Sequence, residues 1–239
     1  VHPFLLHIGH LSIPTFGVLA ACGLLLAPAL SQYTAPLADV DADALWDAGI
    51  FAILAAFVLS RLLLVAANFR TFLAYPILLL AAPSLTATGL LLTSIATWVW
   101  LHLRRIPLLP ALDAWAPCAT LLWALLALGH FAEGSDPGMA TMLPFGVRMP
   151  GESTPLHPVP IYAALVAIAL TAALWILLKR RHDNGAIAAL ALIATGIAQF
   201  LLSFVRQPGI AAIAGLDALQ LVAVGMVIAG SALWLSSLR

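Results

Sequence analysis

Seven apolar stretches run through the chain, at roughly 13–32, 45–67, 84–103, 108–130, 156–178, 185–205 and 211–236. About 20 such residues cross the hydrocarbon core of a bilayer as one α-helix. Most of the stretches are apolar all round, as a lipid-embedded helix must be, because every backbone group has to be paired internally. Only 8% of the 239 residues are charged and 63% are hydrophobic, too few charges to cover a water-facing surface. An ordinary cytosolic enzyme and a disordered regulator are therefore excluded. Net charge is zero and the basic residues are scattered, so no stripe exists to hold a nucleic acid. The expectation is an all-α membrane protein, a single integral domain over 1–239 with about seven transmembrane helices.

The breaks between the stretches orient the bundle. Arg104 and Arg105 follow the third stretch, Lys179, Arg180 and Arg181 the fifth, and Arg239 the seventh. All lie beyond odd-numbered spans, so the positive-inside rule places that side in the cytoplasm. The N-terminus is then outside and the C-terminus cytoplasmic. The 33–44 loop on the same side carries Asp39, Asp41 and Asp43 instead, and acidic residues contribute little to the rule. The start, VHPFLLHIGH, has neither a basic n-region nor an A-x-A-like site, so no cleaved signal peptide is expected. The stretch from Phe72 to Pro83, with LLLAA between two prolines, reads as a short interfacial or re-entrant helix.

Polar residues gather on the outer side. His2, His7, His10, Arg70, His130, Glu133, Asp136, Arg148, Glu152, His157 and Arg206 all fall there, including five of the seven histidines. The outer loop at 132–155 holds seven glycines and prolines from Gly134 to Gly151. A loop of that length is a candidate lid or head. Arg61 lies inside the second span, where an arginine costs roughly 3 kcal/mol unless it snorkels or faces a wet interior. Its planar fork suits a phosphate, and a phospholipid headgroup is the anion at that depth. No HExxH, CxxC, GxSxG or phosphate-cradling glycine loop occurs, so neither a metal nor a cofactor is expected. Cys22 and Cys118 sit in apolar stretches and read as buried small residues.

The order of these residues resembles the prolipoprotein diacylglyceryl transferases of bacterial inner membranes. The resemblance rests on His2-Pro3, Gly9, Ile13 and Phe16-Gly17; on Ser60-Arg61-Leu62 followed by Phe72, Tyr75 and Pro76; and on Asp113 with Ala116-Pro117. It continues through Leu128-Gly129-His130-Phe131-Ala132-Glu133-Gly134, His157-Pro158-Val159-Pro160-Ile161-Tyr162, and Phe200, Phe204, Arg206 and Pro208. It implies a seven-helix bundle with a periplasmic head, a multi-pass protein of the inner membrane. It also implies transfer of a diacylglyceryl group from phosphatidylglycerol to the thiol of a lipobox cysteine in a prolipoprotein signal peptide. The product is a thioether and glycerol phosphate leaves.

Several positions depart from the family pattern. Family arginines read Ala127 and Gln199, and family asparagines read His130 and Glu133. Family glutamates read Ser135, Ser203 and Ala163, a tyrosine reads Phe16, and a histidine reads Ala87. Such chemistry needs a thiolate nucleophile and a stabilised leaving phosphate. The candidate catalytic residues are His130 and Glu133, as a base pair on one helix face, and Arg206. His2, Arg61, Arg148, His157 and Tyr162 are the candidate substrate-binding residues. The neutral replacements leave a second reading open, a non-catalytic or repurposed lipid-binding paralogue on the same scaffold.

Overall fold

The computed structural model describes residues 4–8, 11–75, 85–148, 154–180, 183–209, 211–213 and 215–237. Its helices are α1 (Thr15–Thr34), α2 (Ala42–Ala67), α3 (Phe69–Ala74), α4 (Ala87–Leu103), α5 (Leu108–Glu133), α6 (Val159–Leu178), α7 (Ala186–Ser203) and α8 (Ala218–Ser237). Six are long and apolar enough to cross a membrane, namely α1, α2 and α5 to α8; α4 is apolar but shorter. The fold is therefore that of a multi-pass helical membrane protein. A short helix, α3, follows α2, while the LLLAA stretch between Pro76 and Pro83, expected as a short interfacial or re-entrant helix, lies outside the described residues.

Two small hairpins interrupt the helical pattern. Strand β1 (Phe4–Ile8) pairs antiparallel with β2 (Leu11–Pro14), and β3 (Ala211–Ile213) with β4 (Leu216–Asp217). The first precedes and just enters the stretch expected as the first span, and the second occupies the beginning of the stretch expected as the last. Pro14, with φ −70° and ψ 133°, holds the extended chain until α1 starts. Gly215, at φ +78°, supplies the left-handed residue that the second turn requires. Apolar strands this short are indistinguishable from helix by composition.

Side-chain caps start two of the helices. The Asp41 carboxylate accepts from Ala44 N at 2.7 Å and starts α2. Thr86 accepts from Gly89 N at 3.1 Å and starts α4. Both use N-cap oxygens to satisfy first-turn donors.

Helix α5 is the centre of the bundle, packed against α1, α6 and α7, while α8 lies along α7 and α2 lies against α1 and α4. Helices α7 and α8 approach closely because a Cβ on Gly196 would stand 2.7 Å from the Ala223 carbonyl oxygen. In lipid such backbone approach replaces the hydrophobic drive between helices. Leu45, Leu101, Ala111, Ala114, Leu178 and Ile187 form a buried core at one end of the bundle. Ala127, Val159, Ala163, Ala164 and Leu202 form a second core toward the other.

The two ends differ in content. The base carries the 35–41 and 104–107 connections and the described residues between α6 and α7. The head carries both hairpins and the described residues between α5 and α6. At the base, fully buried Asp113 on α5 accepts from Gly185 N at 2.6 Å and Ala188 N at 2.8 Å. A carboxylate from one helix thereby caps the first turn of another, where backbone donors and the helix dipole favour a negative charge. Buried Thr34 on α1 donates to the Ala114 carbonyl at 2.8 Å.

Candidate functional site at the head of the bundle

The C-terminal turn of α5 builds the first element of the site. Gly134, at φ +80°, ends the helix, and its N–H and that of Ser135 both return to the His130 carbonyl, at 3.0 and 3.1 Å. This left-handed stop turns Ser135 back onto its own helix. The His130 ring nitrogen Nδ1 lies 2.8 Å from Ser135 Oγ, and that hydroxyl donates to Glu133 Oε2 at 3.2 Å. A hydroxyl has one proton to give; when Glu133 accepts it, the hydroxyl receives Nδ1–H from His130, and Nε2 carries the ring's lone pair. The Phe16 ring packs 4.8 Å from the His130 ring, centroid to centroid, and holds it against the start of α1.

The second element is an ion pair across the bundle end. Arg206 Nη2 donates to Asp136 Oδ2 at 2.6 Å, with about a fifth to a quarter of each side chain exposed. Asp136 itself sits in the left-handed region at φ +62°, a conformation its short polar side chain tolerates. Arg206 Nε is buried and has no hydrogen-bond partner among the described residues. The third element joins His157 and Tyr162 across the start of α6, with Nδ1 3.2 Å from the phenol oxygen. Phe145 of the head meets the Tyr162 ring edge-on.

Backbone bonds lace the three elements together. Gly138 N donates to the His157 carbonyl and His157 N to the Met139 carbonyl, at 3.2 and 3.0 Å. Met139 N reaches the Val205 carbonyl at 2.9 Å. Gly138 fits because a Cβ there would lie 2.4 Å from the His157 oxygen. The segment after α5 therefore crosses above both α6 and α7 and fixes the relative positions of their polar ends.

His130 and Glu133 are thus linked, but through Ser135 rather than directly. Ser135 counts as a lost family charge in the sequence, yet it is the hub of the network. Arg206 has Asp136 as its partner, a residue visible in the outer loop but not singled out. Two other arginines stand on other parts of the chain. Arg61 is half-buried on α2 with its guanidinium 5.6 Å from the Phe72 ring centroid. That cation–π contact holds it beside α3. Arg148 is exposed in the head. His2 lies outside the described residues. The Asp217 and Gln220 side chains, at the start of α8, line a cavity with Arg206. The D-x-x-Q spacing before an apolar run was their signal in the sequence.

A multi-pass helical membrane protein with its ionisable side chains networked at one end of the bundle is the class that fold and site define. The family model described as prolipoprotein diacylglyceryl transferase matches residues 3–236, and the chain belongs to that family. Among its relatives, the phosphatidylglycerol–prolipoprotein diacylglyceryl transferase of Bordetella parapertussis is 32% identical over 158 residues, covering 63% of this chain and 60% of that protein. The enzyme of the same description from Paracidovorax citrulli is 32% identical over 165 residues, with 63% and 59% covered. That of Trichormus variabilis is 26% identical over 174 residues, with 68% and 62% covered. The chain spans about three fifths of the length of these relatives.

Proposed function

We propose that this protein transfers a diacylglyceryl group from phosphatidylglycerol to the thiol of a lipobox cysteine in a prolipoprotein signal peptide. The site works at the outer leaflet of a bacterial inner membrane. The observation that carries the reading is the joining of a His130–Ser135–Glu133 network to an Arg206–Asp136 pair, within a chain whose family match runs nearly end to end. Seven spans, with α4 as the short one, put the N-terminus outside and the C-terminus in the cytoplasm. Arg104 over Trp100 and Lys179 over Trp175, both at the base, support that orientation, since basic residues are enriched on the cytoplasmic side and aromatic residues sit at the membrane interfaces.

The chemistry divides between the two halves of the site. His130 Nε2 takes the thiol proton, and the network through Ser135 to Glu133 stabilises the resulting imidazolium. The thiolate attacks the diacylglyceryl carbon, a C–S bond forms, and the C–O bond to phosphate breaks. Glycerol phosphate leaves with the electron pair, and Arg206 stabilises its developing charge. Arg61, Arg148, His157, Tyr162 and His2 are assigned to holding the substrates at the headgroup level.

A second reading is lipid binding without transfer. It draws on Ala127, Ala163 and Gln199, neutral residues where the family pattern carries charge. One experiment separates the two. Purified protein is incubated with phosphatidylglycerol and a lipobox peptide, and the peptide is weighed by mass spectrometry. A diacylglyceryl mass increase, absent from a Cys→Ser peptide, is expected. No increase, with an active family member working alongside, overturns the transferase reading.

A further inference from the structure

Between the end of α7 and the start of α8 lies a cavity of about 240 Å³, lined by Met139, Ser203, Arg206, Gly209, Asp217 and Gln220 among others. It is several times the ~30 Å³ that a water takes up in the liquid. It opens at the head, the level of the polar network. Its wall is built reciprocally. Gln220 N donates to Asp217 Oδ1 at 2.7 Å, and Asp217 N donates to Gln220 Oε1 at 3.1 Å, a capping box that begins α8. Gln220 Nε2 donates to Ser203 Oγ at 3.0 Å, and that hydroxyl donates to the Phe200 carbonyl at 2.6 Å.

The capping box and the bridge to Ser203 use only part of these groups' capacity. Asp217 Oδ2 has no hydrogen-bond partner among the described residues, and Gln220 Nε2 keeps its second N–H. Arg206 Nε is a buried donor in the same position. The cavity therefore presents an acceptor carrying negative charge, a neutral donor and a guanidinium donor. A hydroxyl both donates and accepts, so it satisfies Asp217 and Gln220 together. An ammonium only donates and leaves the amide unanswered. Gly209 keeps the space open, because a Cβ there would press on the Asp217 carboxylate at 3.3 Å.

We infer that this cavity is a headgroup subsite in which Asp217 and Gln220 recognise the free hydroxyls of a phosphate-linked polyol while Arg206 faces its phosphate. The inference rests on the proposed lipid-donor site and adds to it the residues that select the headgroup. It makes Asp217 a specificity residue distinct from the proton-transfer group His130.

The test uses the full chain in detergent. Retention of three lipids with identical acyl chains is compared by native mass spectrometry: phosphatidylglycerol, phosphatidylpropanol and phosphatidylethanolamine. Phosphatidylpropanol has the same charge as phosphatidylglycerol but no free hydroxyl. The wild type is expected to retain phosphatidylglycerol about tenfold better than either, the fold-change of one or two hydrogen bonds, at least one of them charged. Asp217→Asn keeps a good N-cap but removes the charged acceptor, so the preference over phosphatidylpropanol should fall to about twofold. Gly209→Ala should weaken phosphatidylglycerol retention with both cavity ligands intact. Equal retention of the three lipids by the wild type, a preference for phosphatidylethanolamine, or an unchanged preference in Asp217→Asn overturns the inference. Retention is read without turnover. A silent transfer assay beside an Asp217-dependent preference defeats the transferase reading alone, and transfer beside equal retention defeats the subsite alone.

Discussion

The base and head of this bundle use the same chemical groups to opposite ends. At the base, both oxygens of the Asp113 carboxylate receive backbone donors from the start of α7, and Thr34 closes onto the Ala114 carbonyl. At the head, Arg206 spends one nitrogen on Asp136 and leaves Nε buried without a described partner. Gln199 Oε1, on α7 seven residues before Arg206, is likewise buried and without a partner among the described residues. A saturated buried polar group stabilises a structure, whereas an unsaturated one costs free energy that only a ligand or an exchange of partners returns. Saturation thus distinguishes a structural carboxylate from the guanidinium proposed to bind the leaving phosphate, although both are ionisable groups partly or wholly inside an apolar bundle.

The comparison breaks first at Asp113. Asp113→Ala leaves two first-turn donors of α7 without acceptors in a fully buried site, so a loss of about 3 kcal/mol or more is expected. Unfolding of the detergent-solubilised protein, followed by circular dichroism against denaturant, measures it. Asp113→Asn, which keeps one acceptor, should fall between. Transfer per folded molecule should stay near the wild-type value for both. A drop in turnover at unchanged stability would place Asp113 in the chemistry and erase the contrast.

Arg206→Gln is the mirror test at the head. Its ion pair is partly exposed, so stability should change by no more than about 1 kcal/mol. Transfer should fall roughly 100-fold, the scale set by removing one donor from a developing oxyanion. Matching losses of stability and activity would make Arg206 a strut for the 134–140 segment.

Much of this contrast was legible in the sequence, for identifiable reasons. Spans are legible because about 20 consecutive apolar residues have no other stable use in lipid. Asp113 and Arg206 both stand within recognisable motifs. The hairpins flanking α1 and α8 were not legible, since four apolar residues of strand look like the beginning of a helix. Ser135 was misread for a more instructive reason. A serine in place of a glutamate reads as a charge lost, but the glycine stop at 134 folds it back between two ionisable neighbours. The direction in which Arg61 points lies beyond one-dimensional reading, because helix rotation is set by packing rather than by spacing. Arg61 meets the Phe72 ring of α3, which begins two residues after α2 ends.

Ser135→Ala sharpens the picture of the head network. It removes the link between His130 and Glu133 while leaving both side chains, and about a tenfold loss of transfer is expected, that of one hydrogen bond to an ionised partner. Single-turnover kinetics separate this from substrate binding, since the effect should appear in kcat with KM little altered. A pure KM effect would move the network from proton transfer to peptide binding.

Glu133→Gln is the finest of these tests. Glu133 is exposed at the end of α5 and reaches Ser135 at 3.2 Å, so water and headgroups screen its charge. Its effect on the imidazolium is indirect, through one hydroxyl, and screened charge interactions are worth about 0.2–1 kcal/mol. A two- to fivefold loss of transfer follows, growing at low ionic strength and shrinking at high salt as the Debye length contracts. Because glutamine keeps an oxygen able to accept from Ser135, the hydrogen-bonded chain survives and only the charge is removed. The salt dependence is therefore the decisive readout. A loss that ignores ionic strength would mean that Glu133 acts through the geometry it gives Ser135, and the head would then share with the base a carboxylate whose role is to hold structure.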